Sequence, residues 1–191
     1  GIYHGLDAGR LARQQDEIDE LNARLQSVCL LKGVEVDILA DGKLALPDSV
    51  LRRLDVVIVA IHHQFNLPAS KQTTRLLRAL DRPNVTILAH PTGRLINERA
   101  SYAFDVARVL DALRQRGSFL ELNAQPSRLD ADDVLCRAAQ ELGVLVSIGS
   151  DAHRGADFAC LEDGVRQARR GWLSAADVLN ALLALGYNDR E

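Results

Sequence analysis

The apolar run VVIVAI at residues 56–61 constrains the fold of this chain more than any other feature of its sequence. A strand that is apolar on both faces must be covered on both faces, and such strands are typical of parallel sheets. A similar run occupies residues 85–89, and helical patterns at about 69–80 and 102–116 follow the two runs. This alternation predicts an α/β fold with a parallel sheet, either an open doubly wound sheet or a barrel.

The rest of the chain continues the same alternation, without an obvious linker, repeat or low-complexity tract. With 191 residues, 47% of them hydrophobic, the chain is expected to form one domain spanning residues 1–191. The other predicted elements, in chain order, are a helix that opens at the N-cap Asp7, a strand-like run at 28–31 that leads into 33–38, a short helix at 47–54, a strand at 119–122, a helix at 130–142 capped by Asp130, a strand at 144–148, and final helices at about 158–169 and 175–185, the second capped by Ser174.

Charge and cysteine content restrict the possible partners and the compartment. The net charge is -3, so the chain has no global positive field and any contact with DNA needs a local basic patch. Cys29, Cys136 and Cys160 are far apart and form no CxxC pair, which favours free thiols in a reducing cytoplasm. No apolar run is long enough to cross a bilayer, and we expect no contact with a membrane.

Four predicted strands end in side chains that commonly bind metals. Glu35, His62 and His90 follow three of the strands, and Asp151 and His153 follow the last. The carboxyl ends of parallel strands meet at one edge, where α/β proteins form their sites. Singly, each residue has an ordinary explanation, such as a surface glutamate, a hydrogen-bonded core histidine or a capping aspartate. Together they predict a site for Zn, Mn or Fe.

The other histidines and two of the cysteines have less specific interpretations. His62 and His63 are adjacent and cannot both face one site, and His62 is expected inside because it directly continues the apolar strand. His4 is expected in solvent. Cys136 and Cys160 lie on predicted helices and are expected to fill the core rather than to bind metal.

The motifs around the candidate ligands resemble, in order and setting, the metal-binding segments of the PHP (polymerase and histidinol phosphatase) superfamily. These motifs are Gly33-Val34-Glu35-Val36-Asp37, His62-His63-Gln64-Phe65, Ala89-His90-Pro91 and Ser150-Asp151-Ala152-His153. Other stretches are similar to the PHP domain at the C-terminus of bacterial family X DNA polymerases. They are His4-Gly5-Leu6-Asp7, Ala89-His90-Pro91-Thr92-Gly93-Arg94-Leu95, Glu121-Leu122-Asn123-Ala124-Gln125-Pro126, Arg128-Leu129-Asp130 and Gln167-Ala168-Arg169-Arg170-Gly171-Trp172. The resemblance covers nearly the whole chain.

The resemblance implies a distorted (β/α)7 barrel whose site holds up to three divalent ions, typically Mn or Zn. It implies that Glu35, His62 and His90 share one ion, that Asp151 helps to hold a second, and that His153 helps to hold a third. The implied reaction is phosphoester hydrolysis, which in family X polymerases means 3′-5′ exonuclease activity or related processing of DNA 3′ ends. Arg128 and Asn123 are implied to contact the substrate.

One departure from the superfamily pattern concerns the first two motifs, a His-x-His near the first strand and an Asp-His after the second. Neither motif has a counterpart in this chain, which starts at Gly1 and contains no methionine. The expectation is therefore a piece of a longer parent chain that also carries polymerase domains. In this piece the barrel would lack its first strands, and the site would lack several histidines.

Two alternatives stay open from the sequence. One is a small-molecule phosphatase of the histidinol phosphatase type, acting on small phosphate esters. The other is a non-catalytic module that keeps the fold to support a polymerase or to pack against a partner. In a truncated barrel, exposed strand edges invite pairing with another chain, so a homodimer is also possible.

Overall fold

The computed structural model describes residues 7–184. His4, in the polymerase-like opening segment, lies outside these residues, as does the predicted end of the last helix at residue 185. The elements in chain order are α1 (Ala8–Asn22), β1 (Gly33–Asp37), α2 (Asp48–Leu51), β2 (Val56–Ala60), α3 (Ala69–Leu80), β3 (Ile87–Leu88), α4 (Val106–Arg116), β4 (Phe119–Asn123), α5 (Asp133–Glu141), β5 (Val146–Gly149), α6 (Leu161–Arg170) and α7 (Leu179–Ala184), with 3₁₀ turns at Gly155–Cys160 and Ala175–Asp177.

The five strands form one parallel sheet in the order β1-β2-β3-β4-β5. A doubly wound sheet reverses its strand order at a switch point, whereas here each strand pairs with the next one in the chain. A parallel bridge between Val146 and Val178 continues the same progression beyond β5. The predicted α/β class is confirmed, and the sequential order is that of a partial (β/α) barrel.

The core is aliphatic and lies between the sheet and its covering helices. One face each of β2 and β4 contributes to it most, since Val57, Val59, Leu120 and Leu122 are all fully buried, and the alternate positions are partly buried. Burying a side chain of this size contributes about 1.5–3 kcal/mol to the free energy of unfolding. The scarcity of aromatic residues, 4% of the chain, thus leaves Leu, Val, Ile and Ala to fill the interior.

Helices α4 and α5 start later than the sequence pattern predicted because other residues cap them, and α6 and α7 start later because a 3₁₀ turn precedes each. Helix α4 begins after Asp105, whose side chain accepts the Arg108 N–H at 3.1 Å. The predicted first turn contains Tyr102, which instead packs against Phe65 with 6.1 Å between ring centres. Helix α5 begins after Asp132 rather than at Asp130.

The strand-like run at 28–31 is not a strand. It forms an irregular segment before β1, and Val28 and Leu31 each keep 59% of their surface exposed. Among the described residues β1 pairs only with β2, so no neighbouring strand is present to bond the run at 28–31. An apolar sequence by itself does not form a strand without a partner.

Arg75 of α3 ties the loops after β1 and β2 together beneath the site. The side chain is fully buried and has no carboxylate partner within residues 7–184; instead it donates to three backbone carbonyl oxygens. Nε donates to Leu39 O at 2.9 Å, Nη1 to His63 O at 3.0 Å, and Nη2 to Ile38 O. Burial lowers the pKa of this guanidinium from its usual value. These contacts give both loops a common anchor.

No helix within residues 7–184 combines the length and the apolar character needed to cross a membrane.

Candidate metal centre

Glu35, His62 and His90 converge at the carboxyl edge of the sheet. His62 Nε2 lies 2.9 Å from Glu35 Oε1, and His90 Nε2 lies 3.2 Å from the same oxygen. One potential ligand atom from each residue lies within 4.8 Å of the other two. The two imidazole rings meet edge to face with 4.9 Å between their centres. We refer to these three residues as the first ligand group.

Strand register explains why residues so distant in sequence meet. Asp37 of β1 pairs with Ala60 of β2, so His62 continues just past the end of β1. The Ala89 N–H donates to Val59 O at 2.9 Å, which places His90 beside the same strand end. Adjacent strands lie about 4.8 Å apart, a spacing that lets side chains from three strands share one ion. The structure points His63 away from this group, with its Nε2 3.4 Å from Arg75 Nη2.

The electrostatics of the first ligand group favour a charged glutamate. Burial acts to raise the pKa of Glu35, but the hydrogen bonds and charges of His62 and His90 outweigh it and hold that pKa well below its usual range. The hydrogen bond to Glu35 raises the pKa of His62, with burial opposing and the Asp37 carboxylate adding to the rise. Two imidazoles around one carboxylate thus form a compact set of N and O donors.

Asp37 is a functional residue that the sequence analysis did not single out. Its Oδ1 lies 2.5 Å from His62 Nδ1, on the side of the ring opposite Glu35. A carboxylate on the far ring nitrogen fixes the tautomer and orientation of a metal-binding histidine. The signal was present in the sequence, because Asp37 stands two residues after Glu35 and side chains alternate along a strand.

Glu121 of β4 is the second residue that was missed. Its Oε2 accepts the backbone N–H of His90 at 2.7 Å. Burial raises the pKa of Glu121 to about 8; the His90 N–H and Asn123 oppose the rise, and the charges of Glu35 and Asp151 add to it. The signal in the sequence was a charged residue between Leu120 and Leu122 in a buried strand, where an acidic side chain is rare.

Asp151 and His153 form a second group, after β5. Asp151 Oδ2 accepts from Asn123 Nδ2 at 3.1 Å, so it faces the same edge of the sheet. His153 Nδ1 lies 2.8 Å from Asp151 O and 3.8 Å from Asp151 Oδ1, and its side chain is 82% exposed. Within residues 7–184, neither residue belongs to a cluster of three potential ligands.

The two predicted substrate contacts occupy different environments. Asn123 is 1% exposed, and its side chain is bonded to Asp151 and to the Gln125 N–H. Arg128 is half-buried, with Nε 3.9 Å from Asp151 Oδ2. Arg94 supports this loop by donating from Nε to Arg128 O at 2.7 Å.

The residues present fit a divalent ion and a phosphate group. Three buried side-chain atoms in the described part of the chain lack a hydrogen-bond partner, and two of them, His90 Nδ1 and Arg128 Nη1, are at this site. Buried polar atoms usually have a hydrogen-bond partner, so these two atoms are available to bond water or a ligand. The first ligand group offers two imidazoles and a carboxylate, a donor set that suits Zn or Mn.

Comparison with known proteins extends the picture to the whole chain. No family model matches it. The chain is 44% identical over 180 residues to the DNA polymerase/3′-5′ exonuclease PolX of Bacillus subtilis (strain 168), an alignment that covers 94% of this chain and 32% of that protein. It is 31% identical over 170 residues to a probable phosphatase of Thermoanaerobacter sp. (strain X514), covering 84% of this chain and 67% of that protein. A probable phosphatase of Caldanaerobacter subterraneus is 32% identical over 153 residues, covering 75% of this chain and 58% of that protein.

The chain thus spans about a third of the Bacillus polymerase and about two thirds of the Thermoanaerobacter phosphatase. The first two alignments are long enough that both include Glu35, His62 and His90. On this evidence the chain belongs to the PHP superfamily of phosphoesterases, and its PHP domain is like that of the bacterial family X DNA polymerases.

Proposed function

We propose that this domain hydrolyses phosphodiesters at DNA 3′ ends, as a metal-dependent 3′-5′ exonuclease module of a family X DNA polymerase. The observation that carries the proposal is the first ligand group, Glu35, His62 and His90, with Arg128 beside Asp151 on the same edge of the sheet. The likeness to a Bacillus protein named as polymerase and 3′-5′ exonuclease supports DNA as the substrate.

The residues have separate roles in this proposal. Glu35, His62 and His90 hold a Mn or Zn ion, and Asp151 and His153 contribute to further ions, up to three in a full site. A bound divalent ion supplies a water of lowered pKa and neutralises charge on the phosphate. Asp37 holds the His62 ring so that Nε2 faces the ion. Arg128, whose Nη1 has no hydrogen-bond partner among the described residues, would donate to a phosphate oxygen.

A direct test uses a single-stranded oligonucleotide labelled at its 5′ end, incubated with the purified chain and Mn²⁺ or Zn²⁺. Stepwise shortening from the 3′ end, abolished by EDTA and by His90→Ala, is the expected result. His63→Ala is the matched control, because that neighbouring side chain points away from the ligand group. An oligonucleotide that stays intact while the chain binds metal would contradict the proposed substrate.

A small-molecule phosphatase is the second candidate, and the relatives named as probable phosphatases favour it. The net charge of -3 also suits a small ester better than a long polyanion. Release of phosphate from p-nitrophenyl phosphate at a higher kcat/KM than for oligonucleotide ends would favour this candidate. His90→Ala should abolish both reactions, since both need the same ion.

The wider setting of the domain is part of the same proposal. The match to about a third of a polymerase suggests polymerase domains in the parent chain. A cytoplasmic location and a homodimer formed through exposed strand edges stay predictions. Sedimentation of the purified chain tests the dimer, and a single species at the monomer mass would contradict it.

A further inference from the structure

Two of the predicted metal ligands sit on strained backbone. His90 has φ 28° and Asp151 has φ 49°, both in the left-handed region that residues other than glycine rarely adopt. Such conformations persist where surrounding contacts over-determine them, and they cluster at functional sites. The question at this site is which side chains hold His90 and Asp151 in place.

Strand β4 lies between the two strained ligands. It pairs with β3, which leads into His90, and with β5, which leads into Asp151. Successive side chains of a strand alternate between its faces, so Glu121 and Asn123 lie on the same face. One strand can therefore reach both ligands with two neighbouring side chains.

Each of these side chains contacts one ligand by a short polar bond. Glu121 Oε2 accepts the His90 N–H at 2.7 Å, and Asn123 Nδ2 donates to Asp151 Oδ2 at 3.1 Å. The Asn123 amide is itself oriented, because its Oδ1 accepts the Gln125 N–H at 3.1 Å. The first contact orients a ligand through its backbone, and the second orients a ligand through its carboxylate.

The space around Glu121 is shaped to receive this carboxyl group. A Cβ atom placed on Gly149 would come within 2.8 Å of Glu121 Oε1, so the glycine leaves room that a larger residue would fill. Glu121 does not belong to the cluster of potential ligands found among the described residues. It contacts the backbone of His90 from the neighbouring strand, which is the position of a supporting residue.

We propose that Glu121 and Asn123 are positioning residues, which hold the strained ligands His90 and Asp151 in the orientation needed for metal binding. The inference rests on the proposed metal site and goes further, since it assigns Asn123 to act through Asp151 rather than on the substrate. Strand β4 then positions one ligand from each of the two ligand groups.

The first experiment requires no metal. The backbone amide of His90 is followed by NMR in EDTA, for the unchanged chain, Glu121→Gln and Glu121→Ala. Glutamine keeps an acceptor oxygen, so the His90 amide should stay protected from hydrogen exchange in Glu121→Gln and lose at least about tenfold protection in Glu121→Ala. The exposed Glu162 on α6 provides matched controls, Glu162→Gln and Glu162→Ala. Equal protection in Glu121→Ala and the unchanged chain would overturn the role of Glu121.

The second experiment measures Mn²⁺ affinity of the same variants by calorimetry, well below their melting temperatures. Removal of a group that orients a metal ligand typically weakens affinity about 10- to 100-fold. Glu121→Ala should show such a loss, and Glu121→Gln should restore most of it. Equal losses in both variants would mean that the charge of Glu121, not its acceptor oxygen, matters, and would overturn the positioning role.

Asn123 is tested by a double-mutant cycle with Asp151. If Asn123 acts through Asp151, the double variant Asn123→Ala, Asp151→Ala should bind Mn²⁺ and cleave substrate no worse than Asp151→Ala alone. Additive losses would overturn the assignment and indicate a direct contact of Asn123 with the substrate. If the unchanged chain bound no Mn²⁺ at all, the proposed function would fail, while the NMR result in EDTA would still decide whether Glu121 orients His90.

Discussion

The two ligand groups of this domain are built differently. Glu35 lies within β1, His62 and His90 follow the two neighbouring strands, and the potential ligand atoms of the three residues already lie within 4.8 Å of one another. Asp151 and His153 follow a single strand, and the His153 ring is 82% exposed beside its neighbour's backbone. The first group is assembled by the sheet, whereas the second depends on a loop.

The difference shows what a parallel sheet contributes to a metal site. Hydrogen bonds between the strands hold the backbone near the first three ligands at the regular spacing of a parallel sheet. A loop residue such as His153 has no such restraint, and an ion must order its side chain at an entropic cost. We therefore expect the first group to bind its ion more tightly than the second group.

The largest expected effect comes from His90→Ala, which breaks the first group. Loss of one of three ligands from the rigid set should lower metal affinity and hydrolysis by at least about 100-fold. Elemental analysis after dialysis, combined with the oligonucleotide assay, measures both quantities. His63→Ala should retain both, and normal cleavage by His90→Ala would refute the assigned site.

Asp151→Ala tests whether the two groups are separable. The first ion should remain bound, since none of its three ligands is changed, while hydrolysis should fall by about 10- to 100-fold. Calorimetric titration with Mn²⁺ counts the ions of each class. Loss of the tight ion in this variant would show that the groups form one unit and would remove the contrast between them.

Asp37→Asn sharpens the explanation of the first group. Asparagine can still accept a hydrogen bond from His62 Nδ1, but it lacks the negative charge that favours a donating ring nitrogen. Metal affinity should drop by about tenfold, at the lower end for groups that orient ligands. Asp41→Asn, in an exposed turn where Asp41 pairs with Lys43, is the control and should leave affinity unchanged. An unaltered affinity in Asp37→Asn would mean that the charge of Asp37 is not needed to orient the ring.

The smallest expected effect belongs to His153→Ala. The side chain is exposed, so the substitution should change the free energy of unfolding by no more than about 0.5 kcal/mol. Thermal unfolding measures this change. The tight ion should be unaffected, and only the weaker ions should bind less well. A strong loss of the first ion would place His153 in the first ligand group. That result would contradict the exposed position of its side chain beside Asp151.

Several parts of the fold and family could be predicted from local sequence. The α/β class is confirmed, as is membership of the PHP superfamily, because apolar runs, helix periodicity and strand-end motifs are all local patterns. The prediction of a strand at 28–31 was wrong, because a strand needs a hydrogen-bonding partner that the segment's own residues cannot supply. The late start of α4 has a similar cause, because burial of Tyr102 against Phe65 removes its first predicted turn.

The roles of the candidate ligands stay predictions. Their positions along the strands could be predicted from local sequence, whereas their contacts with one another could not. The sequence by itself determined which strand ends carry Glu, His and Asp side chains, because position along a strand is a local property. Only the tertiary structure decided that Glu35 meets His90, 55 residues away, and that Glu121 supports His90 from the next strand. Those contacts depend on strand order and register, which arise from packing the whole sheet and not from any one segment.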